Sequence, residues 1–192
     1  MCENQNTIKL LAKFHFENVP NKNLSKKLGI KFIEIFYRRV FQSKHSKVFY
    51  SIKDDKIICS AIIFTNYILF NKEISKFFFL PFLIGLITFK IPFSCLLDIL
   101  KKKTAEKRAF KLVSKKCHLG LFFSNKTMRP ESTILLVENL RKLHRYAAQK
   151  KNLHIWAVIN NNNVKAEKFM KKLGYVNFYK DEQEIYSKKK LY

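Results

Sequence analysis

The stretch from residue 153 to residue 175 constrains the fold more than any other part of the chain. Its first seven residues form an apolar run typical of a buried strand, and a helical pattern begins a few residues later. The apolar positions of that pattern share one helical face: Ala166, Phe169, Met170 and Leu173. The asparagines at 160–163 can cap the start of the helix, and Gly174 can adopt the left-handed conformation after its end. This stretch therefore predicts a strand followed by a capped amphipathic helix.

Two helices and a hairpin are predicted before residue 66. Apolar residues recur at helical spacing over residues 7–17 and again over 24–41. The apolar face of the second helix is formed by Leu28, Phe32, Ile35, Phe36 and Val40. Strand-like runs follow at 47–52 and 56–65, and the acidic pair between them suits a tight hairpin turn.

The C-terminal half alternates strand and helix patterns. Strand patterns lie at 117–123, 153–159, 176–180 and 183–187, and helical patterns lie at 132–149 and 164–173. The core stripe of the longer helix is formed by Leu136, Leu140, Leu143 and Ala147. This alternation predicts an α/β (α+β) fold, and a chain of 192 residues suits one domain over 1–192.

Residues 74–110 form an apolar and basic insertion after the first hairpin. Residues 77–89 contain no charged side chain. This run is shorter than the roughly 20 residues that span a bilayer, and Pro81, Gly85 and Pro92 are expected to interrupt a single long helix. The pattern favours a buried helical hairpin against the sheet. Flanking lysines leave open a contact of 74–103 with an anionic membrane surface, and a transmembrane span is a third alternative.

The formal net charge of +24 must attract anions, such as nucleic acid, anionic lipid or a small molecule that carries phosphate. The lysines are spread along the chain rather than blocked, so charge alone selects no partner. No zinc finger, aromatic RNA-binding pattern or helix-turn-helix is recognisable in the sequence, so a nucleic-acid partner is not expected.

The four cysteines show neither a C-x-x-C pair nor the spacing of metal ligands. They favour reduced thiols in the cytoplasm, with no metal site. The N-terminus has no basic region followed by an apolar one, so no signal peptide is expected.

Residues 163–175 resemble a segment of the GNAT N-acetyltransferase family, Asn-x-x-Ala-x-x-(Phe/Leu)-Tyr-x-Lys-x-Gly-Phe. The matching positions are Asn163, Ala166, Phe169, Lys172 and Gly174. The resemblance is good over 115–180, looser over 7–66 and absent from 74–110. It implies a GNAT-type mixed, mostly antiparallel sheet flanked by helices, with a hydrophobic helical insertion after the first hairpin.

The resemblance also implies that the chain binds acetyl-CoA as a co-substrate. In the family, the pantetheine arm lies between two strands that splay apart, and backbone amides of a loop that opens the next helix hold the pyrophosphate. Here the strands would be 119–124 and 153–159, and the loop would be 129–134. The implied cofactor-binding residues are Phe122, Phe123, Ser124, Arg129, Ser132, Thr133, Ile134, Asn163, Ala166 and Met170.

The loop departs from the family pattern (Arg/Gln)-x-x-Gly-x-(Gly/Ala), which only Arg129 matches. Ser132 and Ile134 stand where small residues let the backbone approach phosphates. Pro130 removes one N–H donor, and Glu131 places a negative charge beside an anion. The resemblance therefore supports the fold more strongly than it supports CoA binding.

Candidates for acid-base chemistry are Glu17 and His118. Glu17 precedes the loop at 18–23, a region that lines the acceptor site in the family, and His118 lies on the central strand. A solvated carboxylate and a packed histidine are the alternative readings. Many family members have a tyrosine where this chain has Met170, and methionine cannot protonate a leaving thiolate.

These features predict an N-acyltransferase that moves an acetyl group from acetyl-CoA to a primary amine of a small molecule. An amino sugar of a surface polysaccharide is one candidate acceptor. A cytoplasmic location, with peripheral contact to the inner face of the membrane, and a homodimer are compatible with this reading. The alternative is a catalytically degenerate GNAT-fold binding or scaffold protein, because the loop glycines and the tyrosine are missing.

Overall fold

The computed structural model describes residues 5–20, 23–88, 117–180 and 184–191. Its first part contains the helices α1 (Gln5–Asn18), α2 (Leu24–Leu28) and α3 (Ile30–Gln42), the strands β1 (Ser46–Lys53) and β2 (Lys56–Phe64), and the helix α4 (Tyr67–Ile87). The remainder contains β3 (His118–Ser124), α5 (Glu131–Gln149), β4 (His154–Asn160), α6 (Val164–Lys172), β5 (Val176–Lys180) and β6 (Glu184–Lys190).

The strands form one six-stranded sheet in the order β1-β2-β3-β4-β6-β5. Every neighbouring pair is antiparallel except β3 and β4, which run parallel. The predicted mixed, mostly antiparallel sheet with flanking helices is therefore confirmed.

Helices cover both faces of the sheet and bury two apolar cores. On one face, α5 and α6 pack on the central strands, and the predicted stripe of α5 is buried there. On the other face, α1, α3 and the first half of α4 bury the larger share of the aromatic side chains. Because each central strand carries apolar residues toward both layers, β2 is buried along almost its whole length.

Local signals account for the ends of several elements. Asp54 and Asp55 both have positive φ (48° and 55°), as a two-residue hairpin turn requires. The side chain of Asn163 accepts a hydrogen bond from the amide of Ala166 (3.1 Å), and Gly174 follows α6 at a φ of +84°. The predicted hairpin and the predicted capped helix are confirmed.

The single helix predicted over 24–41 is wrong. Gly29, at a φ of +87°, separates α2 from α3, because this left-handed backbone conformation cannot continue a helix. The buried face of α3 is formed by Ile33, Tyr37 and Val40, whereas Ile35 is exposed. Phe32 and Phe36 of the predicted stripe are partly buried against the same core, and Val40 is buried in it.

The predicted interruptions at Pro81 and Gly85 are also wrong, since α4 continues through both positions to Ile87. Pro92 lies outside the described residues. Proline removes one N–H from a helix but does not forbid it when the flanking residues favour the helical state. The distal half of α4 is not buried as predicted, because Phe79, Ile84 and Ile87 are exposed. The rest of the predicted hairpin, from residue 89 onward, lies outside the described residues. No helix in the described ranges is both long and apolar enough to cross a membrane.

Candidate functional site

The two central parallel strands separate soon after they meet. In the continuously described segment 117–180, β3 pairs with β4 only at His118 with Trp156 and at Leu119 with Ala157. Beyond these pairs, β3 continues along β2 and β4 continues along β6. The facing edges, residues 120–124 and 158–160, form what we term the β3–β4 opening. Among the described residues no strand pairs with these two facing edges, so their backbone groups can bind an extended ligand, as at any sheet edge.

A β-bulge bends β3 where the β3–β4 opening begins. Ala61 pairs with Phe122 and Ile63 pairs with Leu119, so β3 contains one more residue than β2 between these pairs. Gly120 lies in this bulge, and a Cβ atom there would lie 2.2 Å from Cε2 of Phe64. The strand pattern over 117–123 did not predict a role for Gly120, although an isolated glycine within such a pattern signals a bulge or a close approach.

Apolar side chains line the α6 side of the opening. The rings of Phe122 on β3 and Phe169 on α6 stack with centroids 6.0 Å apart. Met170 is buried in the same core cluster as Leu119 and Ala157, which form the last β3–β4 pair, and Ala166 packs against that cluster. The structure therefore brings together the predicted cofactor residues Phe122, Ala166 and Met170.

Phe123 faces the opposite side of the sheet and joins β3 to α1. Its ring contacts His15 (centroids 5.0 Å apart) and Phe14 (6.4 Å). Glu17 is exposed on the last turn of this helix, close in sequence to both contacts. The end of α1 that carries Glu17 is therefore anchored to the strand that forms one edge of the opening.

His118 lies at the vertex of the opening within an aromatic cluster. Its ring stacks on Trp156 (4.3 Å between centroids), and Tyr67 meets it edge-on (4.7 Å). Neither ring nitrogen of His118 has a hydrogen-bond partner among the described residues. Burial lowers the pKa of His118 to about 3, so the ring is neutral and a weak base. In this arrangement His118 packs against the rings of Trp156 and Tyr67.

The amides at the start of α5 donate hydrogen bonds to carbonyls of the same loop and turn. Arg129 and Pro130 are joined by a cis peptide bond. The amide of Ser132 donates to the carbonyl of Met128 (3.0 Å), and the amides of Thr133 and Ile134 donate to the carbonyl of Pro130 (3.0 and 3.1 Å). Three of the amides at the start of α5 are thus already engaged.

The hydroxyl of Ser132 is also engaged within the protein. This residue is fully buried, and its hydroxyl donates to the carbonyl of Asn125 (2.7 Å). The arrangement stabilises the turn that leads from β3 into α5. Ser132 and the amides of Thr133 and Ile134 therefore reach a ligand only if this first turn rearranges.

Cations surround the same loop. Glu131 pairs with Lys53 of the β1–β2 hairpin (2.7 Å), so the negative charge expected beside an anion is compensated. Lys126 and Arg129 are exposed on the loop. These two side chains can hold phosphate groups without using the amides of α5.

A second concavity lies away from the β3–β4 opening. It is a groove of about 780 Å³ between the end of α3 and the first half of α4, and Arg39, His45 and Lys72 are among its lining residues. The groove adjoins the start of β1, whereas the opening lies toward the end of β3, at the opposite end of the sheet. In the part of the chain that the structure describes, no group of three or more His, Cys, Asp or Glu side chains could hold a metal ion.

Solved structures resemble this chain over almost its whole length. The N-acetyltransferase PseH of Campylobacter jejuni, in complex with acetyl coenzyme A, is 14% identical with a TM-score of 0.53, over 100% of this chain and 94% of that chain. An N-acetyltransferase from Staphylococcus aureus Mu50 is 12% identical with a TM-score of 0.59, over 100% and 97% of the two chains. FdhC, described as a nucleotide-linked sugar GNAT, is 11% identical with a TM-score of 0.58, over 97% and 82%.

No protein-family model matches the chain, and no curated protein matches it. The structural matches show that the chain has the fold of the GNAT N-acetyltransferases, which confirms the fold that residues 163–175 predict.

Proposed function

We propose that this chain, which has the fold of the GNAT N-acetyltransferases, transfers an acetyl group from acetyl-CoA to a primary amine of a small molecule. The observation that carries the proposal is the separation of β3 from β4 directly after Leu119 and Ala157. A protein of the same fold, PseH, has been crystallised with acetyl coenzyme A. At 14% identity this likeness concerns the fold, so the reaction is argued from the residues of this chain.

The β3–β4 opening suits the pantetheine arm, which is narrow, extended and rich in amide groups. Strand edges bind such a chain through alternating N–H and C=O groups. The apolar wall formed by Phe122, Phe169 and Met170 suits its methylene groups. The edges at 120–124 and 158–160 would therefore hold the arm.

The phosphate end of CoA would rely on side chains more than on amides. Since the amides of Ser132, Thr133 and Ile134 are engaged, Arg129 and Lys126 are the groups that would bind the phosphates. The contact of Lys53 with Glu131 would reduce repulsion at this point. These residues fit an anion, although by a route different from the one that the family resemblance implies.

Bound acetyl-CoA would supply an activated thioester, and the chain must supply a neutral amine in line with it. Glu17 is the carboxylate that we assign to proton removal from the amine, directly or through a water molecule. It is exposed, and the helix that carries it contacts β3 through Phe14 and His15. Met170 is buried and cannot donate a proton, so the thiolate would leave without a protein acid at that position.

We propose an amino sugar linked to a nucleotide or a polysaccharide precursor as the acceptor class. The description of FdhC as a nucleotide-linked sugar GNAT supports this class, and the net charge of +24 suits an acceptor that carries phosphate. Such a reaction would take place in the cytoplasm, where acetyl-CoA is available. A homodimer stays a prediction.

The test is transfer of label from radioactive acetyl-CoA to separate pools of nucleotide-linked amino sugars, free amino sugars, polyamines and amino acids. We expect label in the amino-sugar pools. Label only in another amine pool would refute the proposed acceptor class but support the proposed acetyl transfer. No label in any pool would refute the proposal that the chain is an acetyltransferase.

A scaffold or binding role is the second candidate, favoured by the engaged amides of α5 and by the buried Met170. A thermal shift assay separates the candidates, since a ligand that binds only the native state raises the melting temperature. A shift with CoA but no transfer would indicate a binding protein that retains the cofactor site. No shift and no transfer would indicate a scaffold without that site.

A further inference from the structure

We propose that the outer face of α4, together with the groove beside it, docks the protein on an anionic lipid bilayer. The proposal is independent of acetyl transfer, because it uses none of the residues assigned to the β3–β4 opening, and the groove lies at the opposite end of the sheet from that opening. The side chains that form the surface belong to residues between 39 and 87 that the structure describes.

The distal half of α4 presents apolar side chains to solvent. Phe79 and Ile87 are each 67% exposed, and Leu83 and Ile84 are also exposed. At 100° per residue, these four positions fall within one half of the helix circumference. The buried residues of the helix, such as Phe70 and Ile74, lie on the opposite side against the core. An apolar face of this kind marks an interaction surface.

The proximal half of α4 and the end of α3 provide the basic part of the surface. The groove of about 780 Å³ is lined by four cations, Arg39, Lys44, Lys72 and Lys76, and by apolar side chains that include Leu69 and Phe77. The guanidinium carbon of Arg39 lies 3.4 Å from the centroid of the Phe77 ring, which holds this cation beside the apolar face.

One carboxylate in the groove does not cancel this charge. Glu73 accepts a hydrogen bond from the hydroxyl of Ser43 (2.5 Å) and lies 3.6 Å from Nε2 of His45. Its negative charge is therefore directed toward the wall formed by residues 43–45. The four cations remain in excess and match phosphate-bearing headgroups.

The order of these features along α4 matches the layers of a membrane surface. Lys76 and Ile87 are separated by a helical rise of roughly 16 Å, so the apolar end can enter the acyl boundary while the lysines stay at the headgroups. Interfacial helices bury their apolar face by roughly 5–10 Å, which an oblique α4 would satisfy. The long lysine side chains can extend toward the phosphates.

Charge distinguishes the bilayer from the other occupants of this face. A second copy, which also carries a net charge of +24, offers no excess of negative charge to match the four cations. The following segment, residues 89–116, contains nine Lys or Arg and only two Asp or Glu, so it carries the same sign as the groove. An anionic bilayer satisfies both the apolar and the basic part of the surface.

The test is sedimentation of the full chain with phosphatidylcholine vesicles and with vesicles that also contain phosphatidylglycerol, at low and at high salt. A chain of net charge +24 adsorbs to anionic vesicles at low salt through any face, so an uncharged change is diagnostic. We expect Phe79→Gln/Ile87→Gln to lower partitioning into anionic vesicles at high salt by about tenfold. The matched control is Leu153→Gln/Val176→Gln, at two exposed apolar positions on other elements, which should leave partitioning unchanged.

A second pair of variants tests the basic part. Lys72→Gln/Lys76→Gln should weaken vesicle binding more than Lys165→Gln/Lys168→Gln, which removes the same charge from exposed positions of α6. Equal losses in both pairs would indicate adsorption through net charge and overturn the proposal, as would a failure of the wild type to sediment with anionic vesicles.

The remaining outcomes concern other occupants of the face. A wild-type dimer that Phe79→Gln/Ile87→Gln converts to a monomer would assign the face to a second copy. An Ile87→Cys thiol that resists maleimide in the absence of vesicles would show that the chain itself covers the face. Either result would overturn the proposal, whereas a reactive thiol that vesicles protect would support it.

Discussion

Gly120 illustrates how one residue shapes the candidate site. It lies in the bulge of β3, and the ring of Phe64 occupies the space that any side chain would need. Phe64 is in turn stacked on Phe70 (4.3 Å between centroids), so it has little freedom to move. A glycine is therefore required where β3 begins to diverge from β4.

We predict that Gly120→Ala lowers the free energy of unfolding by about 1–3 kcal/mol, because the new methyl group overpacks against Phe64. This corresponds to a fall in melting temperature of roughly 2–4 °C for each kcal/mol. In the double variant Gly120→Ala/Phe64→Leu, the smaller side chain should relieve the clash and give less than the sum of the single losses. Strictly additive losses would contradict the proposed contact.

Glu17 is the residue on which the proposed chemistry depends. We predict that Glu17→Gln lowers kcat/KM for acetyl transfer by about 100-fold near neutral pH, since the amine then loses its base. The loss should shrink at high pH, where the amine is neutral without assistance. Glu34→Gln on α3 is the control, and its activity should match the wild type. An equal loss at every pH would instead indicate a structural role for Glu17.

At the scale of elements, α6 shows how a helix start contributes to the site. Its cap is the side chain of Asn163, which follows β4 directly beyond the β3–β4 opening. The same helix carries Phe169 and Met170 to the apolar wall of the opening. The cap therefore affects both the stability and the position of that wall.

We predict that Asn163→Ala lowers the free energy of unfolding by about 1 kcal/mol, because the amide of Ala166 loses its acceptor. Asn163→Asp should retain most of the stability, since a carboxylate caps equally well and suits the positive end of the helix. Thermal unfolding measures both. A stable Asn163→Ala variant would mean that the cap contributes nothing in solution.

The start of α5 differs from the start of α6, because its first amides donate hydrogen bonds to carbonyls of the preceding loop. We predict that Arg129→Gln/Lys126→Gln raises the KM for acetyl-CoA by about tenfold or more, as expected when charge-assisted contacts to phosphate are lost. Lys150→Gln/Lys151→Gln, at the far end of the same helix, should leave KM unchanged. If the KM of Arg129→Gln/Lys126→Gln is unchanged, the backbone amides of α5, rather than these side chains, bind the phosphates.

For the whole molecule, buried histidines couple stability to pH. Burial lowers the pKa of His15 and of His144 to about 4, and Lys189 contributes to the shift at His144. Burial lowers the pKa of His118 to about 3. Unfolded histidines titrate near 6.5, so between 6.5 and these values the unfolded chain binds more protons than the folded one.

The free energy of unfolding should therefore be highest above about pH 6.5. It should fall as the pH drops, by up to about 1.4 kcal/mol per pH unit for each of these histidines. Thermal unfolding between pH 7 and about pH 5 isolates this effect from ordinary carboxylates, which titrate lower. His144→Gln should flatten the dependence, whereas His154→Gln, at an exposed position, should not. Equal melting temperatures across this range would refute the assignment.

The features that the sequence predicted correctly depend on neighbours in the chain. The cap at Asn163, the left-handed Gly174 and the turn at Asp54 and Asp55 each involve groups within a few residues. The core stripe of α5 likewise follows from helical periodicity alone. The resemblance over 163–175 extended these local signals to the fold.

Several features that the sequence did not predict depend on backbone conformations that apolar periodicity does not report. The break at Gly29 depends on a backbone conformation at one residue, and the helix through Pro81 depends on the helical state of the residues around it; apolar periodicity reports neither. The engaged amides of α5 depend on a loop conformation that no pattern in the sequence reveals.

By itself, then, the sequence determined the strands, the helices α1, α5 and α6, the cap and C-terminal glycine of α6, and the fold that residues 163–175 resemble. Only the tertiary structure decided where β3 leaves β4, because that point depends on the bulge at Gly120 and on the ring of Phe64 across the sheet. It also decided which side of α4 is exposed, because burial follows from what packs against a helix. Local interactions fix the elements, whereas contacts between distant residues create the opening and the exposed face.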